Sequence, residues 1–182
     1  MNILITTNIN DEKYTPYVLD MYKRCLDARE FERYMSFSDP IRKQAFLIAR
    51  GELKTKLAGL LNTLPHEIRF SYNEYGKPFI EGMYFSISHS ADLIAIAISS
   101  RNVGIDLEYM IERDYAKISK RIFQHEILDQ TEFYKAWTEH EAIIKCAGLS
   151  ALSDISQIRF KHDIIHARYD GAMLAIAYGA VK

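Results

Sequence analysis

Ser90-Ala91-Asp92-Leu93-Ile94-Ala95-Ile96-Ala97-Ile98 is echoed near the C-terminus by Asp170-Gly171-Ala172-Met173-Leu174-Ala175-Ile176-Ala177-Tyr178. Each stretch passes from a polar turn into a strand-length run of small and branched apolar residues. A helical pattern precedes strands in both parts of the chain. The echo therefore predicts an α+β fold of two similar halves packed against one another, divided as residues 1–102 and 103–182.

Outward from the first stretch, residues 83–88 and 103–108 read as flanking strands, and 2–7 as a short opening strand. Helical spacing of Tyr17, Met21 and Cys25 predicts one helix over 14–35. Asp39 and Pro40 are placed to start another, whose apolar face runs from Ala45 through Leu53 toward Leu60. Residues 68–72 alternate like a strand, followed by the polar turn Asn73 to Pro78. Helices are expected over 116–123 and 131–147, and strands over 158–161, 164–169 and 173–178.

The 182 residues carry 23 Lys plus Arg against 24 Asp plus Glu, so nothing resembles the basic surface of a dedicated nucleic-acid binder. The opening Met1-Asn2-Ile3-Leu4-Ile5 turns polar at Thr6, with neither a basic leader nor the apolar length of a signal peptide. No segment approaches the length needed to span a bilayer, and the expectation is a cytoplasmic protein without a membrane partner. Cys25 and Cys146 lack metal-ligand spacing and read as free buried thiols.

Val103-Gly104-Ile105-Asp106-Leu107-Glu108 puts three apolar side chains on one face of a strand and both carboxylates on the other. Two readings fit: a half-exposed strand with an acidic outer face, or two oxygen ligands for a hard cation such as Mg²⁺. On the helix over 131–147, Phe133, Trp137, His140 and Ile144 form a core stripe, and Tyr134, Thr138, Glu141 and Lys145 a polar line beside it. Glu141 and Lys145 are either a helix-stabilising pair or the source of a third carboxylate and a cation facing the strand. In Phe85-Ser86-Ile87-Ser88-His89-Ser90, the histidine is either a core-edge residue or, with the serine hydroxyls, part of a phosphate seat. The turn Tyr75-Gly76-Lys77-Pro78 is not a Walker motif, because the glycine spacing and the Ser/Thr after Lys are absent. Arg29, Arg33, Arg42, Lys43 and Arg50 form a basic helical region that meets a phosphate or balances Glu30, Glu32 and Glu52.

Taken in order, Gly76-Lys77-Pro78, Phe85 to Ser90, Gly104 to Glu108, and Trp137-Thr138 with Glu141-Ala142 and Lys145 resemble the 4'-phosphopantetheinyl transferase superfamily. The resemblance is to its larger, pseudo-dimeric type acting on peptide and polyketide synthetase carriers. It implies an active-site cleft between the halves and transfer of phosphopantetheine from coenzyme A to a serine of an apo acyl or peptidyl carrier protein. By the same resemblance Asp106, Glu108 and Glu141 hold Mg²⁺ and Lys145 touches the pyrophosphate. Lys77, Ser88 and His89 contact coenzyme A phosphates and Pro78 lies beside the adenine, with Arg42 and Lys43 as further phosphate contacts.

Glu141 is the expected proton acceptor and Glu126 an alternative. The carrier is expected on the helix bearing Lys117, Lys120 and Arg121. A monomer suffices, since one chain supplies both halves. The sequence departs from the family pattern at Ser86, where Asn is frequent, and at His140, where Lys is usual. Two other readings use the same residues: a Mg²⁺-dependent nucleotide or pyrophosphate hydrolase, and a non-catalytic coenzyme A or carrier-binding protein.

Overall fold

The computed structural model describes residues 2–149 and 162–179, and in them two antiparallel three-stranded sheets flanked by helices. The first half runs β1 (Asn2–Asn8), α1 (Pro16–Cys25), α2 (Ala28–Ser36), α3 (Pro40–Leu61), a two-residue hairpin of β2 (Ser71–Tyr72) and β3 (Pro78–Phe79), then β4 (Tyr84–Ser90) and β5 (Leu93–Ser99). The second runs β6 (Val103–Tyr109), α4 (Tyr115–Phe123), α5 (Gln130–Ala147), β7 (His162–Tyr169) and β8 (Ala172–Gly179). The sheet orders are β1-β5-β4 and β6-β8-β7. Both sheets are thus built alike: a first strand, helices, then a hairpin whose second strand takes the centre. The strand expected over 158–161 lies outside the described residues.

Local chemistry sets the helix boundaries. The single helix expected over 14–35 is two, because Asp27 accepts from the Glu30 N–H while the Glu30 side chain accepts from the Asp27 N–H. That reciprocal cap starts a new helix inside the periodic pattern. Asp39 caps α3 ahead of Pro40, as expected, and Asp129 caps α5, which ends on Gly148 at φ 73°. The strand expected over 68–72 shrinks to Ser71–Tyr72, since a 3₁₀ turn at Pro65–Glu67 precedes it and only β3 pairs with it. Ile68 and Phe70 are buried all the same.

The two central strands are buried along their whole lengths, so they read as nearly unbroken apolar runs. Ile94, Ile96 and Ile98 pack into the core built on α3, while Leu93, Ala95 and Ala97 join Val103, Ile105, Leu107, Leu174, Ile176 and Tyr178 in a core shared by both sheets. The structural equivalence of the halves differs by one residue from the sequence echo. Both hairpins turn on a residue with positive φ, Ala91 at 50° and Asp170 at 47°, so Leu93 matches Ala172 rather than Met173. A slip of one residue reverses the faces of a strand. In the true register Ala95 and Ala97 match Leu174 and Ile176 in the shared core, small side chains in one half answering large ones in the other.

The seam between the sheets is made by serines. Ser86, Ser88 and Ser90 on β4 accept hydrogen bonds through Oγ from the N–H groups of Ile105, Leu107 and Tyr109 on β6, at 3.1, 3.2 and 3.1 Å. Side-chain hydroxyls thereby stand in for the backbone carbonyls of a neighbouring strand. Ser86→Ala is expected to leave the Ile105 N–H buried and unpaired and to lower stability by about 1–3 kcal/mol. Urea denaturation checks this, and an unchanged midpoint would remove the serines from the account of how the halves are joined.

Candidate active site

Three elements meet at the cleft beside that seam. β6 directs Gly104, Asp106 and Glu108 toward α5, and Gly104 is what lets α5 come close: a Cβ there would lie 1.9 Å from the Ala142 carbonyl oxygen and 2.4 Å from the Cys146 nitrogen. Ala142, Cys146, Ala175 and Ala177 form the small-residue core beneath the helix. The reading of β6 as a half-exposed strand with an acidic outer face is overturned, since Asp106 is buried. The polar line on α5 is also partly corrected. Tyr134 and Thr138 are fully buried, Tyr134 through its hydroxyl's bonds to the Ile111 backbone and Thr138 by donating to the Tyr134 carbonyl. Only Glu141 and Lys145 reach the cleft, joined there by Trp137, whose ring also packs on Phe133.

The pocket they line, of about 270 Å³, holds Ser88, His89, Asp106, Glu108, Trp137, Glu141 and Lys145. Lys145 Nζ lies 2.6 Å from Asp106 Oδ1 and donates to Ser88 Oγ at 3.1 Å. Ser88 donates to Asp106 Oδ1 at 2.9 Å while accepting from Leu107, so its hydroxyl is fully used within the protein. Ser90 donates to Glu108 Oε2 at 3.1 Å. Asp106 Oδ2 is buried and has no hydrogen-bond partner.

Burial first, and then the charge of Asp106, push the carboxyls of Glu108 and Glu141 above the ordinary Glu value. The folded chain therefore keeps these protons to higher pH than the unfolded chain, and the stability they contribute falls as pH rises from the ordinary value through the raised ones. Glu141→Gln is expected to flatten that part of the pH–stability curve in metal-free protein and to unfold at equal or higher urea concentration near pH ~7. Urea midpoints for both proteins across pH ~4 to ~8 test this. A wild-type midpoint that climbs with pH more steeply than the variant's would contradict it.

Among the described residues no group of three or more His, Cys, Asp or Glu side chains is gathered so as to hold a metal ion. The donor chemistry nonetheless suits a hard cation. An orphaned carboxylate oxygen stands beside two carboxyls whose ionisation its charge opposes, and oxygen donors are the ligands Mg²⁺ takes.

A larger chamber of about 690 Å³ adjoins this pocket and shares Ile87, His89, Glu141 and Lys145 with it. Its other walls include Arg29, Arg33, Arg50, Tyr72, Gly76 and Pro78. Arg29 stacks on Tyr72 at 3.8 Å from the ring centroid. Arg50 lies between the rings of Phe46 and Phe70, 3.5 Å from the buried Glu30, which Lys54 anchors at 2.6 Å. Its Nη1 is buried without a partner.

Burial, the charge of Lys145 and the charge of Arg42 hold the His89 imidazole below its ordinary value. Neither Arg42 nor Lys43 lines either pocket. Arg42 sits 4.0 Å from Asp39 with most of its side chain exposed, and Lys43 lies over the Tyr34 ring. Glu126 is exposed and paired with Lys120 at 2.9 Å. Lys77 also borders the larger chamber, but its ammonium donates to the carbonyls of Val103 and Lys145.

Arg29, Arg33 and Arg50 were visible in sequence only as members of a basic region, and Tyr72 only as part of a short alternating run. Their convergence depends on α2, α3 and β2 contributing to one chamber wall. His140, one of the two departures from the family pattern, packs edge-on against Phe123 at 5.6 Å and lines neither pocket.

Fold and site together define an α+β protein of two like-built halves, with carboxylates and basic groups facing one cleft. The chain is 32% identical over 167 residues to the 4'-phosphopantetheinyl transferase Sfp of Bacillus subtilis strain 168, covering 77% of this chain and 74% of that protein. A second 4'-phosphopantetheinyl transferase of Bacillus subtilis is 31% identical, covering 79% of this chain and 70% of that protein. The transferase HetI of a Nostoc species is 33% identical over 141 residues, 68% of this chain. No family model matches the sequence. The chain belongs to the 4'-phosphopantetheinyl transferase family. It spans 60% of the length of the Nostoc relative and 53% of that of Aneurinibacillus migulanus.

Proposed function

We propose that this protein transfers 4'-phosphopantetheine from coenzyme A to a serine hydroxyl of an apo acyl or peptidyl carrier protein, releasing adenosine 3',5'-bisphosphate. The observation that carries the reading is the joining of two unlike pockets. An acidic one with an unsatisfied Asp106 oxygen opens, past Lys145 and His89, into a chamber lined by three arginines. A pyrophosphate with a nucleotide on one side and a neutral arm on the other suits such a cleft.

In this proposal residues 1–102 supply contacts to coenzyme A and residues 103–182 the carboxylates. His89, Arg29, Arg33 and Arg50 take phosphates, and they are better placed for it than Arg42 and Lys43. Pro78 and Gly76 border the adenine end. Asp106, Glu108 and Glu141 would hold Mg²⁺, which when bound supplies charge neutralisation on the pyrophosphate. Lys145, 2.6 Å from Asp106 Oδ1, stabilises the charge that builds on the leaving phosphate.

The carrier serine Oγ forms a bond to the phosphorus next to pantetheine as the bond from that phosphorus to the bridging oxygen breaks. The electron pair departs with the nucleotide, and the serine proton passes to Glu141.

Exposed Ile111 and Leu128 near Lys117, Lys120 and Arg121 give a basic and apolar surface suited to an acidic carrier. Since both halves of the cleft come from one chain, the protein acts as a monomer. Coenzyme A and carrier proteins as substrates imply a cytoplasmic site of action, and no described helix is long and apolar enough to cross a membrane.

Intact-protein mass spectrometry of apo carrier domains incubated with the protein, coenzyme A and Mg²⁺ tests the proposal. The expected result is a phosphopantetheine mass increment that requires Mg²⁺ and the carrier serine. Coenzyme A hydrolysed without carrier modification would replace the transferase by a hydrolase.

A further inference from the structure

We infer that Lys77 is a positioning residue: its ammonium locks α5 to β6, the two elements that carry Asp106, Glu108, Glu141 and Lys145, and it does not serve as a phosphate ligand. The inference builds on the proposed function and reassigns one residue of that site.

Lys77 Nζ donates to the Val103 carbonyl at 3.3 Å and to the Lys145 carbonyl. Val103 is the first residue of β6, and Lys145 belongs to the last turn of α5. One cation thus joins the strand bearing two of the carboxylates to the helix bearing the third. The site on α5 favours a cation, because carbonyls at a helix C-terminus lack intrahelical partners and carry partial negative charge. Lys145 is held at both ends, its carbonyl by Lys77 and the Gly148 N–H and its side chain by Asp106 and Ser88.

A second contact from the same loop acts on the same turn. Asn73 Nδ2 donates to the Gly148 carbonyl at 2.7 Å, while Asn73 Oδ1 accepts from the N–H groups of Tyr75 and Lys77 and fixes the loop's shape. Two side chains from one tight loop of the first half therefore grip the end of the helix that carries the reactive groups of the second. With two carbonyls already bound, the ammonium has one donor left for anything in the chamber.

The test uses Lys77→Met, which keeps the aliphatic stem and removes the charge, and Asn73→Ala, which removes the companion contact. Amide hydrogen exchange is read over residues 144–149, titration calorimetry compares coenzyme A with 3'-dephospho-coenzyme A, and turnover is measured on a carrier domain. Exchange over 144–149 is expected to rise roughly tenfold or more in both variants while β5 amides keep wild-type rates. The affinity ratio of the two coenzymes should stay within about twofold of wild type, and kcat should fall about tenfold with KM for coenzyme A held.

A collapse of the affinity ratio toward one in Lys77→Met would overturn the inference in favour of a phosphate ligand. Unchanged exchange over 144–149 would overturn it as well, and so would loss of thermal stability with kcat per folded molecule intact. If wild-type protein modifies no carrier, the proposed transferase reading fails, and the exchange and affinity measurements still decide the role of Lys77.

Discussion

Asp106→Asn is expected to lower carrier modification by about a thousandfold or more while leaving the fold at least as stable as wild type. The two effects separate because of where the charge sits. Asparagine keeps the shape of the side chain and an oxygen to accept from Ser88, so the seam is preserved. Lys145 loses its partner, but nearly a third of that side chain is exposed, and water can take over much of the interaction.

Removing the buried negative charge also relieves the opposition to ionising Glu108 and Glu141. What disappears is the anionic oxygen that, on the proposed function, faces the cation and the pyrophosphate. Rates by mass spectrometry and urea midpoints on the same preparation test both halves of the expectation. Full turnover at saturating Mg²⁺ would remove Asp106 from the reaction.

Gly104→Ala is expected to destabilise the protein by roughly 3 kcal/mol or more. The added Cβ meets the Ala142 carbonyl oxygen and the Cys146 nitrogen, both backbone atoms of α5, so no side chain can rotate away. The helix would have to lift as a whole, carrying Glu141 and Lys145 from Asp106. A shift of about an ångström at reacting groups costs about a hundredfold in rate.

Gly59→Ala is the matched control. Gly59 lies exposed on α3 with nothing within 4 Å of an added Cβ, and alanine there should stabilise by about 0.5–1 kcal/mol through its better helix propensity. If both substitutions destabilise alike, close packing of β6 on α5 is not what requires the glycine.

Particular residues show how far sequence reaches here. The alternation from Val103 to Glu108 revealed which side chains share a face, because a strand has period two whatever surrounds it. It did not reveal that the acidic face is covered by α5, since covering depends on a helix more than twenty residues further along the chain. The serines of β4 were legible as one face of a strand and not as acceptors for β6, because a hydroxyl's partner is set by packing between halves. Tyr134 and Thr138 carry polar atoms and so read as polar, yet a single satisfied hydroxyl leaves the rest of each side chain free to be buried.

The sequence by itself determined that the chain is built twice from helices and strands, that each half holds a strand-length apolar run after a polar turn, and that carboxylates, a histidine and a lysine follow a family's order. The first two rest on local periodicity and composition, which act over a few residues, and the third on resemblance to the family. Only the tertiary structure decided the register of the two halves, where a shift of one residue exchanges the faces of a central strand. It alone turned Lys77 toward two carbonyls and brought Arg29, Arg33 and Arg50 to the chamber wall. Each of those outcomes depends on atoms far apart in the chain meeting within hydrogen-bond or van der Waals distance, and no short-range pattern encodes which distant partner a side chain will find.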